Sequence, residues 1–481
     1  MSFGLTLLVL LLLMLGCRSP ARPPVDLSLT HRFRSTRAPV ISSPIAWDFT
    51  GDGVKEIAVG SWDGYFYLMD IELNDMPGWP KYSPKGFFSS PALADLSMAQ
   101  DLLSDLPVGE DQLERMGVPS GVPEILVGAE TGELFAWTYE GHTVPGFPVD
   151  LGYHIWASPA ILDGPRIAVS GFEEMFVLDA RGRFVDGWPQ PMQGWADATA
   201  ATDGRILAVT TLTPGDPSWG WLYAWTVEGQ LLPGFPLDLP MDSDSSPALA
   251  DLDDDGELWI IFGDDAGFLY VVDTAGRLRP GFPTRTEGPA PGLPTPTPHP
   301  PGGNVYSIEA SPAVADLTGD GRLEIVVGSW DGQLYIWNDA GQPLPGWPIR
   351  VRDQIISSAA LVDLTGDGQL DIVVGSKDGH LYGWTVWGEA LPGFPYDLRA
   401  PVFSSPWVGD LNGDGRADIV VGADNGIHLL RDIGPLGYRA WPTFHANARR
   451  SGVSGEADRL PRTVLVPQKV SVSEALSALQ R

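Results

Sequence analysis

The sequence has little cysteine, little histidine and little positive charge, and each shortage excludes a class of function. Its 481 residues contain 1 Cys and 7 His. A lone cysteine cannot pair within its own chain, and scattered histidines do not build a site for a soft metal. Asp and Glu number 61 against 30 Lys and Arg, which gives a formal charge of −31. A surface this acidic repels phosphate, so we expect no nucleic-acid partner and no binding to anionic membranes.

Long apolar runs are also missing, except for one near the N-terminus. Residues 3–15 are apolar apart from Thr6, and they precede the only cysteine, Cys17. About a dozen apolar residues suit a signal peptide and fall short of the roughly 20 that span a bilayer. The run and its cysteine resemble a bacterial lipoprotein signal, in which Cys17 would be lipidated. An ordinary signal peptide, or an uncleaved anchor with an incidental cysteine, is the alternative.

What the sequence does contain is a repeat. A Gly-aromatic-Pro corner, usually preceded by proline, recurs along the chain, and four of its seven steps are 47 residues. Its rings stand at Trp79, Phe147, Trp188, Phe235, Phe282, Trp347 and Phe394, with a degenerate copy at Trp441. A period near 47 is too long for leucine-rich or tetratricopeptide repeats and suits a four-stranded propeller blade. We expect each ring to close a blade and to pack between neighbouring blades.

Each repeat contains the pattern of a blade. In residues 310–348 a small apolar segment is followed by a β-branched run, an Asp-Gly turn signal and an alternating segment that ends at Trp337. Such segments predict short strands joined by hairpin turns. Eight units begin in a similar way, at Ser42, Ser89, Ala157, Ala196, Ser245, Ala310, Ser357 and Ser404. The sequence therefore predicts an all-β propeller of eight blades, with seven blades plus a divergent unit as the alternative.

The repeat also sets the expected boundaries along the chain. They are a lipoprotein-type signal peptide at 1–17, a tether and possible ring-closing strand at 18–41, the propeller at 42–455 and a C-terminal tail at 456–481. Insertions at 97–122, 213–220 and 286–304 enlarge loops of the propeller. Long loops on a rigid scaffold often carry binding functions, although simple loop padding explains the proline-rich 286–304 equally well.

Four units carry a loop with oxygen-bearing side chains at positions one, three, five and nine and glycine at six. The four sets are Asp48, Thr50, Asp52 and Glu56; Asp316, Thr318, Asp320 and Glu324; Asp363, Thr365, Asp367 and Asp371; and Asp410, Asn412, Asp414 and Asp418. A fifth loop has Asp251, Asp253 and Asp255 but Trp259 at position nine. Calcium takes about six to eight oxygen ligands, and glycine permits the tight turn. One such loop suits a β-turn with solvated carboxylates, whereas four in equal register predict four to five structural Ca2+ sites.

The strand, the acidic loop and the following Ile-Val-Val-Gly-Ser strand resemble the FG-GAP (VCBS) repeat of integrin α-subunit propellers and of many bacterial surface proteins. The resemblance covers residues 42–450 and is weakest in the third and fourth units, which lack the acidic loop. Residues 441–452 resemble the closing segment of bacterial and quinoprotein-like propellers. The resemblance implies an exported, calcium-stabilised binding scaffold at the cell surface, held to the membrane only by a lipid on Cys17, and not an enzyme.

The nature of the partner stays open at this level. An unknown surface protein or glycan is the expected partner of an adhesion scaffold, and 18 Trp and 12 Tyr also suit a lectin or a polysaccharide-active propeller. Most of these aromatics recur at one blade position, as core residues do. We therefore single out Trp62 and Trp330, each in Ser-Trp-Asp-Gly, as candidate exposed ligand contacts. A quinone-dependent dehydrogenase shares the eight-bladed fold, but the sequence contains no catalytic motif and no cofactor-binding constellation.

Overall fold

The computed structural model describes residues 30–96, 122–213, 218–288, 305–447 and 449–452. Over these ranges the chain forms eight antiparallel β-sheets and no helix, and so it has no helix there that could span a membrane. The eight sheets are the blades of a propeller, as the repeat predicts, and the seven-blade alternative is excluded. The predicted signal peptide with Cys17, the tether up to residue 29, parts of the three insertions and the tail 456–481 lie outside the described residues.

In the described part of the chain, the first half of the ring, blades 1 to 4, contains 16 strands. β1 (Thr30–Ser35) belongs to the last blade. Blade 1 contains β2 (Ile45–Trp47), β3 (Glu56–Gly60), β4 (Tyr65–Met69) and β5 (Lys81–Tyr82). Blade 2 contains β6 (Ala92–Ala94), β7 (Glu124–Gly128), β8 (Glu133–Trp137) and β9 (Val149–Asp150). Blade 3 contains β10 (Ala160–Leu162), β11 (Arg166–Ser170), β12 (Glu174–Leu178) and β13 (Gln190–Pro191). Blade 4 contains β14 (Ala201–Thr202), β15 (Ile206–Leu212), β16 (Gly220–Thr226) and β17 (Leu237–Leu239).

The second half of the ring follows the same order, from the inner to the outer strand. Blade 5 contains β18 (Ala248–Ala250), β19 (Trp259–Gly263), β20 (Phe268–Asp273) and β21 (Thr284–Arg285). Blade 6 contains β22 (Ala313–Ala315), β23 (Glu324–Gly328), β24 (Gln333–Trp337) and β25 (Ile349–Arg350). Blade 7 contains β26 (Ala360–Val362), β27 (Asp371–Gly375), β28 (His380–Thr385), β29 (Tyr396–Asp397) and the added strand β33 (Arg439–Trp441). Blade 8 contains β30 (Trp407–Gly409), β31 (Asp418–Ala423), β32 (Gly426–Arg431) and β1.

Each strand is built from sequence that suits its place in the blade. The inner strand is short and made of small or aliphatic residues, as in β22, because the inner strands crowd around one axis. The second strand, such as β23, is buried along its whole length, since both of its faces pack against neighbouring blades. The third strand carries aromatic rings to the next blade: the ring of Phe66 in blade 1 lies 5.6 Å from that of Trp137 in blade 2. The core is therefore a circle of layers between blades.

A strand from the N-terminal end closes the ring. β1 pairs antiparallel with β32, from Thr30 opposite Arg431 to Ser35 opposite Gly426. Blade 8 thus combines three strands from late in the sequence with one from the beginning of the described chain. The sequence analysis left this closing strand open, and the structure places it at residues 30–35. Because the ring is closed, each blade lies between two neighbouring blades, which cover both faces of its sheet.

Hydrogen bonds join the blades at the start of their inner strands, and seven of the eight junctions share one pattern; between blades 5 and 6, Ser245 Oγ donates instead to the carbonyl of Ala310 at 3.1 Å. In seven links, the backbone N–H of a serine or threonine in one blade donates to the side-chain hydroxyl of the equivalent residue in the next, at 2.8–3.1 Å. The residues of this hydroxyl ring are Ser43, Ser90, Ser158, Thr199, Ser246, Ser311, Ser358 and Ser405. The last link runs from Ser405 of blade 8 back to Ser43 of blade 1, so the ring is continuous across the point where the chain closes.

The Gly-aromatic-Pro corners join the blades farther from the axis, as predicted. The indole N–H of Trp79 donates to the carbonyl of Tyr139 in the next blade at 2.6 Å, and Trp188 and Trp347 make the same bond to the blades that follow them. The glycine of each corner has a positive φ, and a Cβ at Gly281 would collide with the carbonyl of Ala340 in blade 6. Glycine is therefore required for two reasons: the positive φ of the corner, and the close approach of the backbone of the next blade.

The centre of the ring is filled by residues 437–447 and 449–452, which we name the plug. Its strand β33 pairs with the inner strand of blade 7, with Trp441 opposite Leu361. The backbone carbonyls of Pro442, Arg449, Ser451 and Gly452 accept hydrogen bonds from the inner strands of blades 8, 3, 4 and 5. The segment that resembled a closing element thus contacts inner strands from both sides of the ring.

Arg450 anchors the plug to blades 1 and 2. Its side chain is 0% exposed, with Nε donating to the carbonyl of Pro91 at 2.9 Å and Nη2 donating to that of Ser43 at 3.1 Å. Nη1 donates to Thr443 Oγ1 within the plug at 3.0 Å. These acceptors are neutral oxygens, and burial lowers the pKa of the Arg450 guanidinium to about 9. A buried cation held by several carbonyls is costly to remove, because its loss leaves those acceptors unpaired.

Candidate metal loops and channel mouth

The two candidate sites lie at opposite ends of the propeller. The acidic loops join the inner strand of a blade to its second strand, as residues 316–323 join β22 to β23. The second strand returns antiparallel, so Trp330 lies back beside the start of the inner strand, where the hydroxyl ring is found. One end of the channel therefore carries the acidic loops, and the other end carries the hydroxyl ring and the Ser-Trp-Asp-Gly turns.

The aspartate at position one organises each acidic loop. Asp316 Oδ1 accepts the backbone N–H of Gly319 at 2.7 Å, and its Oδ2 accepts that of Gly321 at 3.0 Å. Equivalent bonds hold the other three complete loops, and the residues at position one are Asp48, Asp363 and Asp410. The loop backbone thus wraps around one carboxylate. Among the described residues, the three carboxylates of each complete loop do not come within 4.8 Å of one another as those of blade 5 do, so the structure brings the predicted ligands together only in part.

The carboxylate at position nine closes each loop from the second strand. Glu324 Oε2 accepts the backbone N–H of Leu317 at 2.8 Å, and Glu56, Asp371 and Asp418 make the same bond in their own loops. Burial raises the pKa of the Glu324 carboxyl to about 7 and that of Asp418 to about 6. Both carboxyls therefore lie where a negative charge is poorly solvated, which a cation would relieve.

Two of the four side chains at position three fit a hard cation, whereas Thr50 and Thr365 donate to carboxylates of their own loops. Thr318 Oγ1 and Asn412 Oδ1 are buried and have no hydrogen-bond partner within the described part of the chain. The amide nitrogen of Asn412 does have one, since it donates to Asp414 Oδ2 at 2.8 Å. Buried oxygens without a partner are costly, and an oxygen-coordinated ion would satisfy them. All of the ligand types are oxygens, which is the donor set of Ca2+.

Blade 5 has the three acidic residues of the loop, but a side-chain cation, Arg279, partly neutralises them. Carboxylate oxygens of Asp251, Asp253 and Asp255 lie within 4.8 Å of one another. The guanidinium of Arg279 donates to Asp253 Oδ2 at 2.9 Å and lies 4.7 Å from the centre of the Trp259 ring. It holds the pKa of Asp253 below its usual value. Trp259, which stands at position nine in place of a carboxylate, thus packs against the guanidinium of Arg279. Sequence reasoning did not identify this arginine.

Blade 2 contains a related loop that the sequence analysis missed. Glu124 Oε2 accepts the backbone N–H of Leu96 at 2.7 Å, as Glu324 does for Leu317 in blade 6. Burial raises the pKa of the Glu124 carboxyl to about 8. The signal was present in the flanks, Ala-Leu-Ala-Asp95 and Glu124-Ile-Leu-Val-Gly, but the insertion between them conceals the spacing of the motif.

At the other end, the channel opens into a blind cavity of about 740 Å3 that we name the mouth. Phe444 of the plug belongs to its lining. Each blade contributes the residue two places before the hydroxyl ring. In order of blades, these residues are Ile41, Phe88, Trp156, Asp197, Asp244, Glu309, Ile356 and Phe403. Three consecutive blades, 4 to 6, therefore present carboxylates, and the other five present apolar side chains.

The two tryptophans selected from the sequence both line the mouth, in different ways. Trp62 is 43% exposed and lies 5.9 Å from the ring of Phe88. Trp330 is only 8% exposed, and its Nε1 donates to Glu309 Oε2 at 2.7 Å. The expectation that both rings are exposed is therefore wrong for Trp330, because its indole is used to orient a neighbouring carboxylate.

Aromatic rings continue from the mouth across the face of blades 1 to 4. Neighbouring centroids along this aromatic row are 4.2–5.9 Å apart. Its members are Trp62, Phe88, Trp156, His154, Phe172 and Trp195. Sequence reasoning found only the first of them, since the other five come from four separate segments and meet only in the folded ring. A row of flat rings beside a cavity is a feature of ligand sites.

Carboxylates gather on the opposite side of the mouth, where Asp197, Asp244, Asp265 and Glu309 form what we name the acidic arc. Burial raises the pKa of Asp197 to about 7 and that of Asp244 well above its usual value, and neighbouring carboxylates raise both further. Burial also raises the pKa values of Asp265 and Glu309. Asp244 Oδ1 is buried and has no hydrogen-bond partner among the described residues.

Comparison with known proteins identifies the repeats. Residues 316–374 match the FG-GAP-like repeat and residues 404–437 match the FG-GAP repeat. The chain therefore carries FG-GAP repeats in blades 6 to 8 of an eight-bladed propeller. A search of curated proteins finds no match.

Solved structures share the fold at low sequence identity. The computationally designed Ika8 protein has a TM-score of 0.52 and 14% identity, with 83% of this chain and 97% of that chain covered. A europium-containing methanol dehydrogenase has a TM-score of 0.55 and 13% identity, with 83% and 92% covered. BamB from Moraxella catarrhalis has a TM-score of 0.47 and 17% identity, with 86% and 95% covered. The similarity to the first two, whose TM-scores exceed 0.5, concerns the fold alone, and the match to BamB carries no argument.

Proposed function

We propose that this protein is a non-catalytic, calcium-stabilised propeller scaffold that binds a protein or a glycan at its mouth. The observation that carries the proposal is the blind mouth with its aromatic row, on a ring held by a closing strand, a hydroxyl ring and a plug. A rigid ring with one lined cavity suits recognition, since little order has to be gained on binding. The FG-GAP repeats and the eight blades support a scaffold or binding role.

We propose that Ca2+ binds in the acidic loops and stabilises the connection between the inner and second strands of the blades that carry them. In blade 6, Asp316, Thr318, Asp320 and Glu324 would hold one ion, and the equivalent residues would hold one in blades 1, 7 and 8. A bound ion would supply positive charge among three or four carboxylates and would satisfy oxygens such as Thr318 Oγ1. Blade 5 is the proposed fifth site, although Arg279 already neutralises part of its charge.

The proposed location is the cell envelope. The apolar run before Cys17 supports export, and lipidation of Cys17 would anchor the chain to a membrane. The excess of carboxylates supports a partner other than nucleic acid. Mass spectrometry of the protein from its native membrane tests the anchor, because a lipid on Cys17 adds a characteristic mass to the N-terminal peptide.

A carbohydrate-binding lectin or polysaccharide-active propeller is the second candidate, and the aromatic row favours it. Sugar rings present apolar faces that pack on flat aromatic side chains, and Trp62 offers an accessible one. We do not propose dehydrogenase activity, because the similarity to methanol dehydrogenase extends to the fold alone.

The test compares two exposed tryptophans. Trp62→Ala removes a ring of the mouth, whereas Trp387→Ala removes a ring that is 54% exposed on blade 7 outside the mouth lining. We expect only Trp62→Ala to reduce binding, whether the partner is found on a glycan array or by co-purification with surface proteins. Equal binding by wild type, Trp62→Ala and Trp387→Ala to the same partner would place recognition elsewhere.

A further inference from the structure

The lining of the mouth is divided into two halves by chemistry. The position two residues before the hydroxyl ring is apolar in blades 7, 8, 1, 2 and 3 and acidic in blades 4, 5 and 6. The blades are equivalent in the fold, so this division is not demanded by the propeller itself. A ligand that matches it has a positive part and an apolar part on opposite sides.

The protein compensates the negative charge of the acidic arc only in part. Among the described residues that line the cavity, Lys377 is the one cation. Its Nζ donates to Gln354 Oε1 at 2.9 Å, and its charge favours the ionised forms of Glu309 and of Asp424, which lines the cavity on the other side. Asp244 Oδ1 has no donor, and the arc is faced by further carboxylates at Glu130 and Asp242. Carboxylates this crowded favour any cation that can reach them.

The spacing of the arc favours an organic cation over a metal ion. Among the described residues, the oxygens of the arc do not lie within 4.8 Å of one another as those of Asp251, Asp253 and Asp255 do, and no backbone loop wraps around an arc carboxylate as it does around Asp316. The arc instead spreads its oxygens over three blades, which suits a group with several N–H donors and some length. The cavity volume of about 740 Å3 lies within the range of small-ligand pockets, roughly 300–1,000 Å3.

We propose that the mouth binds a small organic amine, whose ammonium group lies among the carboxylates of the acidic arc and whose apolar body packs against the aromatic row. This rests on the proposed function of the mouth as the binding site and assigns it a ligand class. Asp244 and Asp197 accept the ammonium hydrogens, and Trp62, Phe88 and Trp156 cover the body of the ligand. The ammonium group takes the charge-assisted hydrogen bonds that Asp244 Oδ1 does not make within the protein.

A matched pair of sugars provides the probe. A glucosamine trimer carries flat sugar faces and ammonium groups, whereas the N-acetylated trimer keeps the faces and removes the charge. Titration calorimetry at pH 7.5 with saturating Ca2+ would measure both, together with spermidine and a lysine-containing peptide. We expect the glucosamine trimer to bind about tenfold or more tightly than its acetylated counterpart, because charge-assisted hydrogen bonds are lost on acetylation.

Charge-removing variants locate the interaction. Asp244→Asn should weaken binding of the glucosamine trimer about tenfold or more and leave the acetylated trimer unaffected. Asp186→Asn is the control, since it makes the same change at an exposed corner of blade 3. Melting temperatures of both variants, measured in the same buffer, show that the fold is retained.

The outcomes separate this inference from the proposed function. Equal affinity for the charged and acetylated trimers, or no effect of Asp244→Asn, would show a binding mouth without an ammonium site and would overturn the inference alone. Binding of only the lysine peptide would also overturn it, in favour of a protein partner. If no probe binds and Trp62→Ala leaves partner binding intact, both the inference and the mouth as a binding site are wrong.

Discussion

The loop end and the mouth are both rich in carboxylates, yet they hold them in opposite ways. At the loop end, Asp316 receives backbone N–H groups from its own loop, and the loop surface is open to water. At the mouth, Asp244 is partly buried, and its buried Oδ1 lacks any donor among the described residues. The loop carboxylates come from one short segment, whereas those of the mouth come from three blades. The local origin of the loop carboxylates therefore suits the proposed hard ions, whereas the spread of the mouth carboxylates suits the proposed organic cation.

The largest expected effect of a single substitution comes from Arg450, which stands between the two ends. Arg450→Met leaves the carbonyls of Ser43 and Pro91 unpaired and releases the plug that separates the loop end from the mouth. We expect a loss of about 3–5 kcal/mol in the free energy of unfolding, measured by urea denaturation. Arg449→Met is the control, because that side chain makes a surface ion pair with Asp163 and should cost under about 1 kcal/mol. If both variants lost the same free energy of unfolding, the buried hydrogen bonds of Arg450 would not be what holds the plug in the ring.

A smaller effect is expected at the corners between blades. Gly281→Ala forces a residue with a φ of 97° against the carbonyl of Ala340, and we expect it to cost about 2–4 kcal/mol. Gly164→Ala also changes a glycine with positive φ, but nothing lies within 4 Å of its added Cβ, so it should cost about 1 kcal/mol. Thermal unfolding of the pair would separate backbone preference from contact between blades. A cost as small at Gly281 as at Gly164 would show that the blades are not held by these corners.

Calcium dependence tests the loop end. Saturating Ca2+ at about 100 times its dissociation constant should stabilise the fold by about 2.7 kcal/mol per site, and a chelator should remove this. Glu324→Gln keeps an oxygen for the Leu317 N–H but removes a charge, so it should lower bound calcium by one equivalent in native mass spectrometry. In chelator the variant should melt no lower than wild type, since a poorly solvated charge is gone. An unchanged calcium count would contradict the proposed ligand set.

The smallest expected effect is a pH dependence of the mouth. The pKa of Asp244 is raised in the folded state by burial and by Asp265, Glu309, Asp197 and Asp242, so its contribution to stability is lost as pH rises. With Ca2+ saturating, Asp244 should make the wild type lose stability as the pH rises above the pKa of an unfolded aspartate, about 3.9. Asp244→Asn should flatten this slope and gain about 1–2 kcal/mol at pH 8. Parallel slopes for the two proteins would show that Asp244 is not the group responsible.

The repeating parts of the protein could be predicted because each one is local. Trp79 and its equivalents mark the corners, and the spacing from Asp316 to Glu324 marks a loop, within a few residues of sequence in each case. Blade count, strand pattern and loop positions all follow from such short segments. Where an insertion separates the two halves of a motif, as between Leu96 and Glu124, the same local reasoning fails.

The mouth could not be predicted, because no segment of the sequence contains it. Asp197, Asp244 and Glu309 are 47 and 65 residues apart, and nothing in their neighbours marks them as one group. They converge because eight equivalent positions point at one axis. The exposure of Trp330 was wrongly predicted for a similar reason: its hydrogen-bond partner Glu309 precedes the inner strand of the blade, 21 residues earlier in the sequence.

The sequence by itself determined the architecture of this protein: eight similar units, their corners and their acidic loops, since each depends on residues that are neighbours along the chain. Only the tertiary structure decided that β1 closes the ring, that Arg450 locks a plug in its centre and that the mouth is acidic on one side and aromatic on the other. The physical reason is that ring closure brings residues from all eight units to one axis, where burial and charge are set by neighbours that are distant in sequence.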